Sequence, residues 1–147
     1  MTQTVTVPGL GLPGPALSDL AAPFWEACAQ RRLVVPACDS CGLRFFVPEV
    51  VCPRCWSADW TWADSPGLGT LYSATTVHRA PLPDVASPYV IGVVDLDDGW
   101  TMMTHLVDVD PDDLRLGQRV AVTFRDRGGV LLPLFAPVAG DVAGDEG

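Results

Sequence analysis

Four of the five cysteines fall into two matched pairs, Cys38-x2-Cys41 and Cys52-x2-Cys55, with ten residues between the pairs. A C-x2-C step puts two thiolates on one tight turn, where both reach the same ion. Two such knuckles face to face supply a tetrahedral four-sulfur site. Gly42, directly after the first pair, suits the left-handed turn that a knuckle needs, and Pro53 stiffens the second knuckle. Thiolate ligands favour zinc or iron over magnesium or calcium. A closed four-cysteine shell leaves no position for water or substrate. The expected cofactor is therefore a structural zinc held by Cys38, Cys41, Cys52 and Cys55, with iron in the same site as the alternative. Cys28 stands apart from both pairs and reads as a small buried residue rather than a reactive thiol.

The remaining chemistry-bearing residues form no evident catalytic centre, and no catalytic residue is assigned. The chain has no Gly-x-Ser-x-Gly elbow, phosphate loop or Gly-x-Gly-x-x-Gly. His78 precedes Arg79 at the mouth of a Pro-rich loop running to Pro88, a place where a barrel binds ligands; its plain reading is an exposed histidine. His105 reads as a satisfied strand residue, and Asp95, Asp97 and Asp98 as turn chemistry. Trp56, Trp60 and Trp62 are expected to pack around the cysteine module, although an exposed pair there would mark a partner surface.

The elements that must position these residues follow from patterning. Residues 1–17 are rich in Pro and Gly and read as a flexible arm. A helix is expected over about residues 19–33, capped by Ser18, with Arg31 and Arg32 at its negative end; a shorter helix beginning at Pro23 is the alternative. Short strands are expected at 43–47 and 60–62, and Pro and Gly make 65–69 a hinge. Further strands are predicted at 69–77, 89–96, 100–107, 119–125 and 130–135, with one helical turn after Asp110. Five strands with a helical turn between the third and fourth match an OB-fold barrel. The fold class is thus mainly β. The expected organisation is an arm (1–17), a helix (18–36), a zinc ribbon (37–64), a five-stranded OB-fold (65–137) and an acidic tail (138–147).

Composition narrows the function. The net charge is −9 and all nine basic residues are arginine, which argues against binding a phosphate backbone. The chain lacks an apolar run of membrane-spanning length and the layout of a signal peptide, so a cytoplasmic location is expected.

Taken together, the motifs resemble the family of small acyl-CoA-associated proteins with a rubredoxin-like zinc ribbon and an OB-fold (domain of unknown function 35). The matching stretches are Phe24-Trp25-Glu26, Leu33-Val34, Cys38-Asp39-Ser40-Cys41-Gly42 and Pro48-Glu49-Val50-Val51-Cys52-Pro53-Arg54-Cys55. They continue through Gly67-Leu68-Gly69-Thr70-Leu71-Tyr72-Ser73, Thr76-Val77-His78-Arg79, Pro88-Tyr89-Val90 and Leu114-Arg115-Leu116-Gly117. The resemblance covers about residues 20–137 and retains all four ligand positions. It implies an accessory subunit with no activity alone, complexed with a thiolase-like aldolase (a lyase) or thiolase acting on an acyl-CoA, with steroid side-chain degradation as the setting. A hot-dog-fold hydratase is a further partner it implies. Phe24 and Trp25 become candidates for the partner interface. Arg44, Arg54, His78 and Arg79 become candidates for contacting acyl-CoA, against the plain reading of the arginines as surface or interface charge. Two other readings stand beside this one: an OB-fold protein binding single-stranded nucleic acid, which the charge disfavours, and a stand-alone acyl-CoA-binding protein.

Overall fold

The computed structural model describes residues 3–6, 13–81 and 85–139. The acidic tail from 140 onward, part of the arm and the centre of the loop after His78 lie outside the described residues. In the segment read as an arm, strands β1 (Gln3–Thr6) and β2 (Pro13–Leu17) pair antiparallel. Backbone pairing of this kind needs no apolar periodicity, which is why the pattern gave no sign of it.

The helix α1 spans Ala22–Ala29, so the shorter of the two expected helices forms. Pro23 sits in the first turn, where its missing N–H is harmless. Ser18 caps the turn before it instead: Ala21 N donates to Ser18 Oγ at 3.1 Å. The helix ends early because Arg31 turns left-handed, at φ 57°. Arg31 N then donates to Cys28 O and Arg32 N to Ala27 O, both at 2.9 Å, which closes the last turn as a Schellman motif. The two arginines consequently lie past the last helical turn. Arg32 reaches Asp64 at 2.6 Å instead. Phe24, Ala27 and Cys28 form the buried face of α1.

Strand β3 (Leu33–Cys38) pairs antiparallel with β4 (Trp60–Ser65), from Leu33↔Ser65 to Cys38↔Trp60. Leu33, Val34, Val35 and Pro36 are all buried, so this run lies within the core rather than at an edge. The strand expected at 43–47 is absent. Only one bridge forms, Ala37↔Arg44. The segment returns through Cys38 N to Leu43 O (2.9 Å) and Phe45 N to Pro36 O (3.1 Å), and Pro48 then blocks further pairing.

The second half closes into a barrel of β5 (Leu68–Val77), β6 (Tyr89–Leu96), β7 (Thr101–Leu106), β8 (Arg119–Arg127) and β9 (Val130–Pro137). The order around the barrel is β5-β6-β7-β9-β8, with a 3-10 turn at Pro111–Asp113 between β7 and β8. This is the OB-fold order expected from the sequence. Trp100, read as the first residue of the third strand, precedes it and is buried. Leu71, Val94, Val120 and Phe135 fill the interior, and α1, β3 and the barrel share one hydrophobic core. The expected hinge at 65–69 is pinned: Val122 N donates to Gly67 O at 2.7 Å, and Gly69 pairs with both β6 and β8. A Cβ on Gly69 would stand 2.5 Å from Asp95 O. Among the described residues no helix is long and apolar enough to cross a membrane.

A polar junction fastens the cysteine module to the barrel. Asp98, expected to serve only as a turn residue, accepts from Arg44 Nη1 (2.9 Å), Ser65 Oγ (3.1 Å) and Trp100 Nε1 (3.1 Å). Its side chain is 15% exposed and that of Arg44 is 29%, so the ion pair is largely sheltered. Asp97, next to it, instead pairs with Arg119 on the surface, and the hydrogen bond from that guanidinium holds its carboxyl below the ordinary range.

Asp98→Ala removes the acceptor that three donors share, leaving Arg44 with Asp64 O and Trp100 Nε1 with Ser65 Oγ, and is expected to lower the unfolding free energy by about 2 kcal/mol in urea titration. Asp97→Ala, at an exposed pair, serves as the near-neutral comparison. Gly69→Ala forces strands apart where three meet and is expected to cost about 1–3 kcal/mol by the same measurement.

Candidate metal centre

Strand β3 delivers Cys38 at its end, and the chain turns at once into the first knuckle. Gly42 N donates to Cys38 O at 2.9 Å, with Gly42 at φ 75°. The second knuckle repeats the pattern: Trp56 N donates to Cys52 O at 2.9 Å, with Trp56 at φ 63°. Tryptophan thus occupies a left-handed position usually given to glycine, at a cost of about 1–2 kcal/mol that the surroundings must offset. The knuckles are tied directly, by Asp39 N to Asp59 O (2.9 Å) and Ser40 Oγ to Ser57 Oγ (2.9 Å).

The four Sγ atoms of Cys38, Cys41, Cys52 and Cys55 all lie within 4.8 Å of one another. Cys38 and Cys55 approach to 3.5 Å, and Cys41 and Cys52 to 3.7 Å. A tetrahedral shell with metal–sulfur distances near 2.3 Å places its sulfurs about 3.8 Å apart, so the residues present fit one soft metal ion. All four are free thiols, and their separations are far beyond a disulfide bond. Cys52 is fully buried, Cys38 nearly so, and Cys55 is exposed. Burial would raise the Cys52 thiol, but the backbone N–H groups of Cys55 and Arg54 and the Cys41 and Cys38 side chains bring it down to about 7. Cys55, despite its backbone hydrogen bond with Ser57, is pushed up to about 12 by burial and the three neighbouring thiols; a bound metal would require both as thiolates. A metal held by these four sulfurs would supply folding free energy. Cys28 is the opposite case: burial pushes its thiol up to about 12, which leaves it an inert core residue.

Phe45 and Trp60 shield the sulfurs, with ring centroids 5.8 Å apart, and Trp60 meets Trp62 at 5.5 Å. Trp56 alone of the three tryptophans projects outward, 76% exposed. Phe24, a candidate for the partner interface, is only 4% exposed. Its helical face is committed to this chain's own core, where it meets Trp25 at 5.0 Å and Phe46 at 5.2 Å. Trp25 is half-buried. The two line an apolar recess of about 260 Å³ together with Phe46, Val47 and Pro48. Of the residues expected near acyl-CoA, Arg44 is bound to Asp98, whereas Arg54 lies exposed in the second knuckle. His78 and Arg79 are exposed beyond the end of β5. Sequence reasoning missed the Asp98 junction because its partners come from three separate segments; only the unusual Trp after the second cysteine pair could have flagged the strained knuckle.

Purified protein is expected to carry about one metal ion per chain by elemental analysis, and to be colourless if that ion is zinc and red if it is iron. Cys52→Ser should abolish binding and collapse the amide dispersion of the knuckles in heteronuclear NMR. A knuckle region that stays ordered without metal would refute this.

Residues 25–61 match "ChsH2, rubredoxin-like zinc ribbon domain", and residues 62–125 match "ChsH2, C-terminal OB-fold domain". A "Probable enoyl-CoA hydratase alpha subunit" of Thermomonospora curvata is 35% identical over 136 residues, covering 92% of this chain and 43% of the relative. The "3-oxo-4,17-pregnadiene-20-carboxyl-CoA hydratase alpha subunit" of Mycobacterium tuberculosis is 30% identical over 115 residues, covering 76% of this chain and 36% of the relative. The chain therefore spans less than half the length of these two curated relatives. Among solved structures, a chain of "Ltp2-ChsH2(DUF35) aldolase" superposes with a TM-score of 0.77 and 34% identity, over 84% of this chain and 98% of that one. With both modules matched in order and a solved relative covered almost end to end, this chain belongs to the ChsH2/DUF35 family of rubredoxin-like zinc ribbons joined to an OB-fold.

Proposed function

We propose that this chain is a non-catalytic, zinc-stabilised accessory subunit that binds and supports a thiolase-like aldolase acting on an acyl-CoA thioester. The single observation that carries this reading is the likeness, across 98% of its length, to a chain of an aldolase assembly. The closed four-sulfur site agrees with it, because such a shell leaves no open position for chemistry. A steroid side-chain thioester is the substrate class we assign, since a relative's name carries a pregnadiene carboxyl-CoA. Two relatives are named hydratase alpha subunits and are more than twice as long as the stretch matched, so a hydratase is a further member of the proposed assembly.

The partner-facing surface in this reading is the recess beside α1. Trp25 is half-buried there and Val47 is 58% exposed, so both retain apolar area for a larger enzyme. Arg54 and Arg79 are the exposed cations left to approach CoA phosphates, since Arg44 is occupied by Asp98.

Co-expression with a thiolase-like aldolase should yield a complex that survives gel filtration, and aldol cleavage of a steroid acyl-CoA should need both chains. Val47→Asp, at an exposed position, should weaken the complex at least about tenfold in titration calorimetry while leaving the metal bound. An aldolase that is soluble and fully active alone, and indifferent to this chain, would sink the proposal.

A further inference from the structure

A second cavity, remote in sequence from the cysteines, opens on the barrel wall. Strands β7 and β9 are paired only at Leu106↔Phe135, so the seam between them leaves room beyond that point. The space is about 390 Å³, within the range that small-molecule sites occupy. Leu132 and Leu134, alternate residues of β9, supply one apolar wall, and Pro88 supplies another. Tyr89 and His105 lie diagonally across the β6–β7 pair and stack with centroids 5.1 Å apart and planes 14° from parallel. Arg127, at the end of β8, and Val85 and Ala86, in the loop before β6, complete the lining.

Arg32, Arg44, Arg119 and Arg125 each have a carboxylate partner. Arg127 has no ion pair among the described residues, and its neighbour Asp126 accepts from Gly129 N at 3.1 Å. Desolvation, and then the charge on Arg127, lower the His105 imidazole; among the described lining residues Arg127 is the fixed cation, and the His105 ring has an N–H to donate in either protonation state. One guanidinium and one imidazole match a single planar carboxylate; a doubly charged phosphate would want more donors. The apolar walls leave an alkyl or alicyclic body as the rest of the ligand.

We propose that the cavity between β7 and β9 binds a small apolar carboxylic acid, with the carboxylate on Arg127 and His105 and the apolar body against Leu132, Leu134 and Pro88. The site belongs to the barrel alone and does not depend on the accessory-subunit reading.

Sodium decanoate, kept below its micellar concentration, is the probe, titrated into the full metal-loaded chain by NMR. Saturable binding is expected, with decanol, which lacks the charge, binding at least about tenfold more weakly. The His105 imidazole should titrate at higher pH in the saturated protein, because a nearby carboxylate favours its charged form. Arg127→Ala should weaken decanoate about tenfold, Arg127→Lys less, and Arg115→Ala, at an exposed arginine between β7 and β8, not at all. Absence of saturable binding, equal affinity for decanol and decanoate, or an Arg127→Ala variant that binds like the parent would each overturn the proposal. The decanol comparison needs no variant, so it decides even if a substitution disturbs folding.

Discussion

The convergence of four sulfur atoms on one point governs this structure. The cysteine module has almost no core of its own: Cys38, Phe45 and Cys52 are its buried apolar residues, and two of those three belong to the four-sulfur cluster. Burial of so little area cannot offset the entropy of ordering two knuckles. Coordination must supply the difference, because binding to a site absent from the unfolded chain is itself folding free energy. The left-handed Trp56 makes the same point locally. Its backbone stays in a disfavoured region only while the surroundings over-determine it, and the Cys52–Cys55 turn is what holds it there.

The module gains rigidity relative to the barrel from shared material rather than from a linker. The boundary between the two family matches, at residues 61 and 62, falls inside β4. Strand β3, the partner of β4, is buried in the same core as the barrel interior. Aromatic contacts run from Trp60 to Trp62, on to Phe24 and Phe46, and from Phe46 to Trp100 at the barrel. Asp98 adds direction to that apolar line, since hydrogen bonds to Arg44, Ser65 and Trp100 fix an orientation that apolar packing alone leaves loose. Ribbon, helix and barrel therefore present one continuous surface to any partner.

Much of this was legible in the sequence, for identifiable reasons. The four-sulfur cluster was legible because the C-x2-C step is dictated by the reach of two thiolates on one turn. The barrel strands were legible because alternation has a period of two wherever one face is buried, as in β7, where Met102, Thr104 and Leu106 are buried and His105 is exposed. The helix C-terminus was not, because an arginine fills the left-handed position that glycine would have announced. The 43–47 segment looked like a strand because Phe45 and Phe46 are apolar neighbours. They serve two different cores, one around the sulfurs and one under α1, and no sheet face requires that arrangement. Phe24 was assigned outward because an aromatic on a terminal helix suits an interface equally well, and only the tertiary fold decides which side receives it.

The two knuckles are not mechanically equivalent, and this bears on how the metal relates to the surface it supports. The first grows directly out of β3, so Cys38 is held by a strand that the main core secures on its own. The second is reached through a loop and carries the exposed Cys55 and Trp56; it is joined to the first by Ser40–Ser57 and by Asp39–Asp59, and a metal in the four-sulfur cluster would add a further tie. Loss of the ion should therefore release the distal knuckle first, leaving β3 and the barrel in place. A surface that includes Trp56 would vanish with the metal, whereas one built on Trp25 and Val47 rests on α1 and the main core and would weaken only in part. Comparing partner binding by metal-loaded and metal-stripped protein would thus show which end of the molecule the larger enzyme grips.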